Sequence, residues 1–177
     1  LTGTKAPEKI ADPLICHADI RRMLLTMKSL TEGNRLLVAW IAMTLDTLEH
    51  AESPAARQEA DDLVQLMTPI IKAFLTDAGS EVTNLAMQIF GGHGYIQESG
   101  VEQFVRDARI AQIYEGANGI QGLDLIGRKL SAHTGRYLRR FFHPVQAFID
   151  QHAKDESLKE FIDPLAKAFS RLQQITV

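Results

Sequence analysis

Apolar residues recur at spacings of three and four from Ile20 through Met23, Leu24, Met27, Leu30, Leu37, Trp40, Ile41 and Leu45 to Leu48. That period predicts one long amphipathic helix over about residues 18–51, with the stripe as core. Ser53-Pro54 then offers a capping side chain followed by proline at a first helical position, and Thr68-Pro69 repeats the device. Two helices are predicted from these starts, residues 54–66 and 69–90, the second burying Ile70, Ile71, Phe74, Val82, Leu85, Ala86 and Ile89. Gly91-Gly92 stops it, because glycine accepts the positive φ of a helix C-cap. "GGHGYIQESG" reads as a loop, followed by a short helical piece near residues 101–108. A helix starting at about Ala117 carries Ile120, Leu123, Leu125 and Ile126, and two more are predicted over residues 136–152 and 158–174.

Residues 1–17 hold Gly3, Pro7 and Pro13 among polar residues and read as a lead-in loop. No stretch alternates as a strand, and no repeat of fixed period is present. The fold class expected is all-α, an antiparallel helical bundle with irregular loops at its ends.

A chain of 177 residues suffices for one buried core. With 19 basic and 22 acidic residues the net charge is -3, so no overall polycation tracks a nucleic-acid backbone. The single cysteine, Cys16, has no disulfide or metal-pair partner, which favours a reducing compartment and, with no apolar run long enough for a bilayer, a cytoplasmic location. The chain begins at Leu1 without a signal-peptide pattern and is read as a fragment.

Candidate chemistry is confined to a few stretches. "QIFGGHGY", residues 88–95, puts three glycines within four positions at a helix end, where bare backbone allows close approach of a phosphate or ring oxygen. A helix stop is the commoner use of such a run. His93 lacks a second ligand at metal spacing, and no metal site is expected. "QIYEGANGIQ" places Glu115 just before a helix start. A carboxylate there feels the positive end of the helix dipole, while a covering apolar substrate would desolvate it, and these opposed influences suit a general base. A simple helix cap is the competing reading. Arg128, Lys129, Arg136, Arg139 and Arg140 form a basic cluster suited to phosphates, or more plainly to a solvated helix end.

"QIFGGHGY" followed by "RDARIAQIYEGANGIQ" resembles the C-terminal helical domain of the acyl-CoA dehydrogenase flavoenzymes, in both letters and spacing. The resemblance is strongest over about residues 69–130 and extends loosely back to Ala18 through "DIRRMLLTMKSLTEGNRLLVAW". It implies that Glu115 is the base removing the α-proton of a fatty acyl-CoA thioester, the β-hydrogen leaving as hydride to flavin N5, with a trans-2-enoyl-CoA as product. It implies FAD as cofactor, an electron-transfer flavoprotein as acceptor, a role in fatty acid β-oxidation, and a homo-oligomer, dimer or tetramer. Gly116 would lie against substrate; Gln88, Gly91 and Gly92 would contact the FAD of a neighbouring subunit; Ala117, Asn118, Gly119 and Ile120 would lie beside the flavin.

Two departures stand out. Ala117 replaces the family's usual threonine, removing a hydroxyl near the cofactor, and the tail beyond about His133 resembles a subgroup with an extra C-terminal helical segment. The expected division is residues 1–133, the C-terminal domain lacking its first helix, and residues 134–177, the extension. Members of the family carry an N-terminal helical domain and a middle β-domain before this one, so these 177 residues alone are expected to bind FAD poorly and to be inactive. The alternatives are an acyl-CoA oxidase and a helical oligomerisation or nucleic-acid-binding module of the alkylation-response type, which the overall acidity disfavours.

Overall fold

The computed structural model describes residues 5–176; residues 1–4 and 177, with Gly3 of the expected lead-in loop, lie outside the described residues. Seven α-helices are present there and no strand: α1 Ala18–His50, α2 Pro54–Phe90, α3 Gly92–Tyr95, α4 Val101–Ala111, α5 Asn118–Asp124, α6 Arg136–His152 and α7 Lys159–Thr176. The all-α class read from periodicity is borne out. The chain divides into two compact units, Leu1–Trp40 with Ile70–Gln121 and Ile41–Pro69 with Gly122–Val177.

α1 begins and ends almost where its period does, but its stripe is only partly core. Ile20, Met23 and Ile41 are buried, whereas Trp40 is 40% exposed and Leu24 and Leu45 are also exposed. Period places residues on one face; it does not say whether this chain covers that face. In the first unit a shallow apolar groove of about 570 Å³ separates α1 from α2, lined by Val38, Ala39, Leu75, Ala78 and Val82 among others.

α2 begins at Pro54 as expected, with the Ala56 N–H donating to Ser53 Oγ at 3.4 Å. It does not restart at Pro69. The helix runs through that proline, and Thr68 donates its hydroxyl to the Val64 carbonyl at 2.7 Å instead of capping a new start. An interior proline costs about 3 kcal/mol. Leu66, Met67 and Pro69 itself are buried here, and at about 1.5–3 kcal/mol for each large apolar side chain their burial outweighs that cost.

α2 ends at Phe90, where Gly91 takes a positive φ of 59°. The following stretch is not the plain loop expected, because its glycines let the backbone fold into the single turn α3 and a 3₁₀ turn, Gln97–Ser99. Gly94 is buried so closely that a Cβ would lie 2.7 Å from both the Met87 carbonyl oxygen and Phe90 Cβ. Gly94→Ala must therefore shift backbone, and a loss of about 1–3 kcal/mol is expected in a thermal or denaturant melt.

In the second unit α6 and α7 pack around Ile149, Ile162 and Phe169, with Phe142 meeting Phe169 edge-on at 5.2 Å. Asp62 of α2 is fully buried in the same unit. Arg136 grips it through two hydrogen bonds of 2.8 Å, Gln58 adds a third at 3.0 Å, and Arg140 Nε lies 3.5 Å away at ion-pair distance. Burial alone would raise the Asp62 carboxyl, but Arg136, Gln58 and Arg140 together hold it below the usual carboxylate value.

Candidate functional site

The sequence pattern "QIYEGANGIQ" leaves α4 and enters α5 in the first unit. α4 stops at Ala111, Tyr114 N–H still reaching the Ile110 carbonyl, and the backbone then turns left-handed at two successive residues, Glu115 (φ 51°) and Gly116 (φ 85°). Glycine takes that geometry freely; glutamate does so at a cost of about 1–3 kcal/mol. α5 is then started by the Ala117 carbonyl, which accepts from the N–H groups of Ile120 and Gln121 at 2.8 and 3.2 Å. The Glu115 side chain is exposed and makes no hydrogen bond or ion pair with the described residues. It therefore caps nothing, contrary to the competing reading of a structural cap. Because the strain is local, Glu115→Gly is expected to stabilise the fold by about 0.5–1 kcal/mol, measurable as a raised melting temperature.

Gly116 accepts a hydrogen bond from Gln121 Nε2 at 3.2 Å. Its positive φ disfavours any side chain, and a Cβ there would stand 2.7 Å from Gln121 Nε2, the flexible end of a side chain that would have to move aside. Asn118 behaves differently from its neighbours. Its side chain is committed to α2: Oδ1 accepts from Lys72 Nζ at 2.9 Å, while Nδ2 donates to Asp77 Oδ1 at 2.7 Å and Thr76 Oγ1 at 2.9 Å. Any contact it makes with a bound group falls to its backbone. Ala117, Gly119 and Ile120 are exposed.

The second motif lies at the end of α2 in the same unit. Gln88, Gly91 and Gly92 are exposed, and a methyl group at Gly91, Gly92 or Gly119 would meet no atom of the chain within 4 Å. Bare, open backbone of this kind fits close approach by a phosphate or a flavin-like ring. Large apolar side chains near both motifs are also open, among them Tyr95 (76% exposed), Phe90, Phe104, Ile113, Tyr114 and Ile120. His93 is exposed, its backbone carbonyl accepting from the Ser99 hydroxyl. Among the described residues no cluster of His, Cys, Asp and Glu is arranged for a metal.

The basic cluster, all in the second unit, is engaged by its own chain. Arg128 pairs with Asp124, Lys129 donates to Gln65 Oε1 at 2.6 Å, Arg136 and Arg140 flank Asp62, Arg140 also reaches Glu59 at 2.9 Å, and Arg139 donates to the Thr134 carbonyl at 2.7 Å. Cations so occupied offer little to a phosphate backbone. Sequence reasoning missed Asp62 and the group around Asn118, namely Lys72, Thr76, Asp77 and Gln112. Only Gln112 and Asn118 carried a signal, by flanking the Glu115 loop.

The sequence model of the acyl-CoA dehydrogenase C-terminal domain matches residues 4–130, and the chain belongs to the acyl-CoA dehydrogenase family. Among individual relatives, it is 47% identical over 137 residues to the 3-methylmercaptopropionyl-CoA dehydrogenase of Ruegeria pomeroyi, covering 77% of this chain and 23% of that protein. It is 31% identical to a butyryl-CoA dehydrogenase of Syntrophomonas wolfei (94% and 28% covered) and 32% identical to a broad-specificity linear acyl-CoA dehydrogenase of Mycobacterium tuberculosis (89% and 26%). The chain thus spans about a quarter of the length of these curated relatives. No helix among the described residues is long and apolar enough to cross a membrane.

Proposed function

We propose that the protein carrying this chain is an FAD-dependent acyl-CoA dehydrogenase, in which Glu115 removes the α-proton of an acyl-CoA thioester to yield a trans-2-enoyl-CoA. The observation that carries this reading is the Glu115 turn itself: a carboxylate held at a strained backbone position, exposed, and without any partner in the described structure. Strain retained where a glycine would be easier is accounted for by a task that needs the side chain. FAD, when bound, supplies the acceptor for the β-hydrogen, which leaves the substrate as hydride to N5. Gln88, Gly91 and Gly92 at the end of α2, and the stretch from Ala117 to Ile120, are the residues of this chain that would hold it. Gly116, with no side chain to intervene, would let the thioester approach the base.

The open apolar side chains around these motifs support a site completed by other parts of the protein and by a second subunit. This chain alone is accordingly inactive. In the same reading the protein is cytoplasmic and serves fatty acid β-oxidation, electrons pass to an electron-transfer flavoprotein, and residues 134–177 are a C-terminal extension, consistent with a family match that ends at residue 130.

The test is anaerobic titration of the full-length flavoprotein with butyryl-CoA, longer linear acyl-CoAs and 3-methylthiopropionyl-CoA. Bleaching of the oxidised flavin band is expected with at least one of them. A flavoprotein that no thioester reduces, or a full-length protein that holds no flavin, would overturn the proposal. Oxygen consumption without an added acceptor would point instead to an oxidase.

A further inference from the structure

Residues 113–117 carry the proposed base, and Gln112 and Asn118 bracket them. The two brackets are bonded to each other through the backbone, Asn118 N–H to the Gln112 carbonyl at 3.1 Å. Their side chains also converge on one oxygen: Gln112 Nε2 and Asn118 Nδ2 donate to Asp77 Oδ1 at 2.5 and 2.7 Å. Each amide is held in that sense by a cation on its other end, Arg109 Nη1 on Gln112 Oε1 at 2.8 Å and Lys72 Nζ on Asn118 Oδ1 at 2.9 Å. Cation, amide and carboxylate in series give charge-assisted hydrogen bonds, which polarise one another and fix which way each amide faces.

Asp77 sits on α2, a helix of 37 residues, so the loop ends are tied to a rigid element and not merely to each other. That matters for a turn that is strained at Glu115. A left-handed glutamate persists only where its surroundings over-determine it, and freeing both ends of the loop would let the turn relax.

We propose that Asp77 is a positioning residue for the reaction: acting through Gln112 and Asn118, it holds the left-handed Glu115–Gly116 turn and so restricts where the Glu115 carboxylate can lie. The catalytic half of this proposal rests on the reading of Glu115 as the base. Asp77 itself touches neither substrate nor cofactor. Its loss changes the placement of a group that must meet a carbon-bound proton at hydrogen-bond range, where a misplacement of about 1 Å can cost about a hundredfold in rate.

The experiment compares full-length Asp77→Ala, Asp77→Asn, Glu115→Gln and the double variant Asp77→Ala/Glu115→Gln. It reads kcat and KM for the best acyl-CoA, amide hydrogen exchange across residues 112–118, and thermal melting. Asp77→Ala is expected to lower kcat about 10- to 100-fold with little change in KM, and to speed exchange at the Asn118 amide. Asp77→Asn, which keeps an acceptor oxygen, should restore most of both. In the Glu115→Gln background the Asp77 substitution should cost almost nothing further, since it acts through a group already removed.

Unchanged exchange in Asp77→Ala would overturn the clasp. Unchanged kcat in Asp77→Ala beside an inactive Glu115→Gln would overturn the positioning role alone. Losses that multiply in the double variant, or that track melting temperature, would reduce Asp77 to general stability and overturn the proposal equally. Full turnover by Glu115→Gln would instead sink the base reading and the catalytic half with it, an outcome told apart by the Glu115 variant itself.

Discussion

Glu115→Gln in the full-length protein is expected to lower turnover by about a hundred- to ten-thousandfold, the range by which positioned general bases accelerate proton transfer. The substitution keeps the shape of the side chain and replaces only the oxygen that accepts the proton. Glu115 is exposed and unpartnered among the described residues, so no ion pair or hydrogen bond in the fold is broken. Folding and flavin content should therefore match those of the unaltered protein, and the defect should lie in kcat. The direct measurement is anaerobic stopped-flow absorbance of the flavin after mixing with an acyl-CoA: rapid bleaching in the parent, slow or absent bleaching in the variant. Equal bleaching rates would remove Glu115 from the chemistry. Glu115→Asp should fall between the two, because the shorter side chain retains a carboxylate and withdraws it by one methylene.

The second large effect concerns stability. Arg136→Met is expected to lower the melting temperature of the second unit, because it removes both 2.8 Å hydrogen bonds that Arg136 makes to a fully buried carboxylate. It leaves a fully buried Asp62 carboxylate with Gln58 and an Arg140 that stands at 3.5 Å without hydrogen-bond geometry. The pH dependence has a definite sign. Asp62 is held below its ordinary value in the folded state, so its contribution is fully present above the unfolded-state value of about 4 and is lost as pH falls below it. Denaturant melts at pH 7 and at pH 3 should show a smaller acid-induced loss in Arg136→Met than in the parent. Equal losses would mean that the Asp62 pair is not the acid-labile element.

Helices whose ends are marked by composition were legible. The limits of α1, α6 and α7 fall within two residues of those expected from periodicity and breaker residues. Pro69 misled because the reading weighed its local cost alone, whereas the burial of Leu66 and Met67 beside it is a tertiary quantity. The exposed Trp40 misled for the opposite reason: an apolar stripe records a demand for cover without naming what provides it. In the site, the motif residues could be named from the sequence, but the left-handed turn at Glu115 could not, since a Glu-Gly pair does not say which of the two takes the positive φ. Asp77 gave no signal at all. It lies 35 residues from Gln112 and 41 from Asn118, and only the folded chain brings the three together.

The backbone at position 115 also makes the residue a reporter of descent. A lineage that abandoned proton abstraction would feel no pressure to keep a branched-off carboxylate in a left-handed turn, and glycine, asparagine or aspartate would each sit there more comfortably. If Glu115 is the base, glutamate at this place is a continuing backbone cost that its use offsets. Copies of the domain that have drifted to another task should betray themselves at this codon first, while the clasp around them still looks intact.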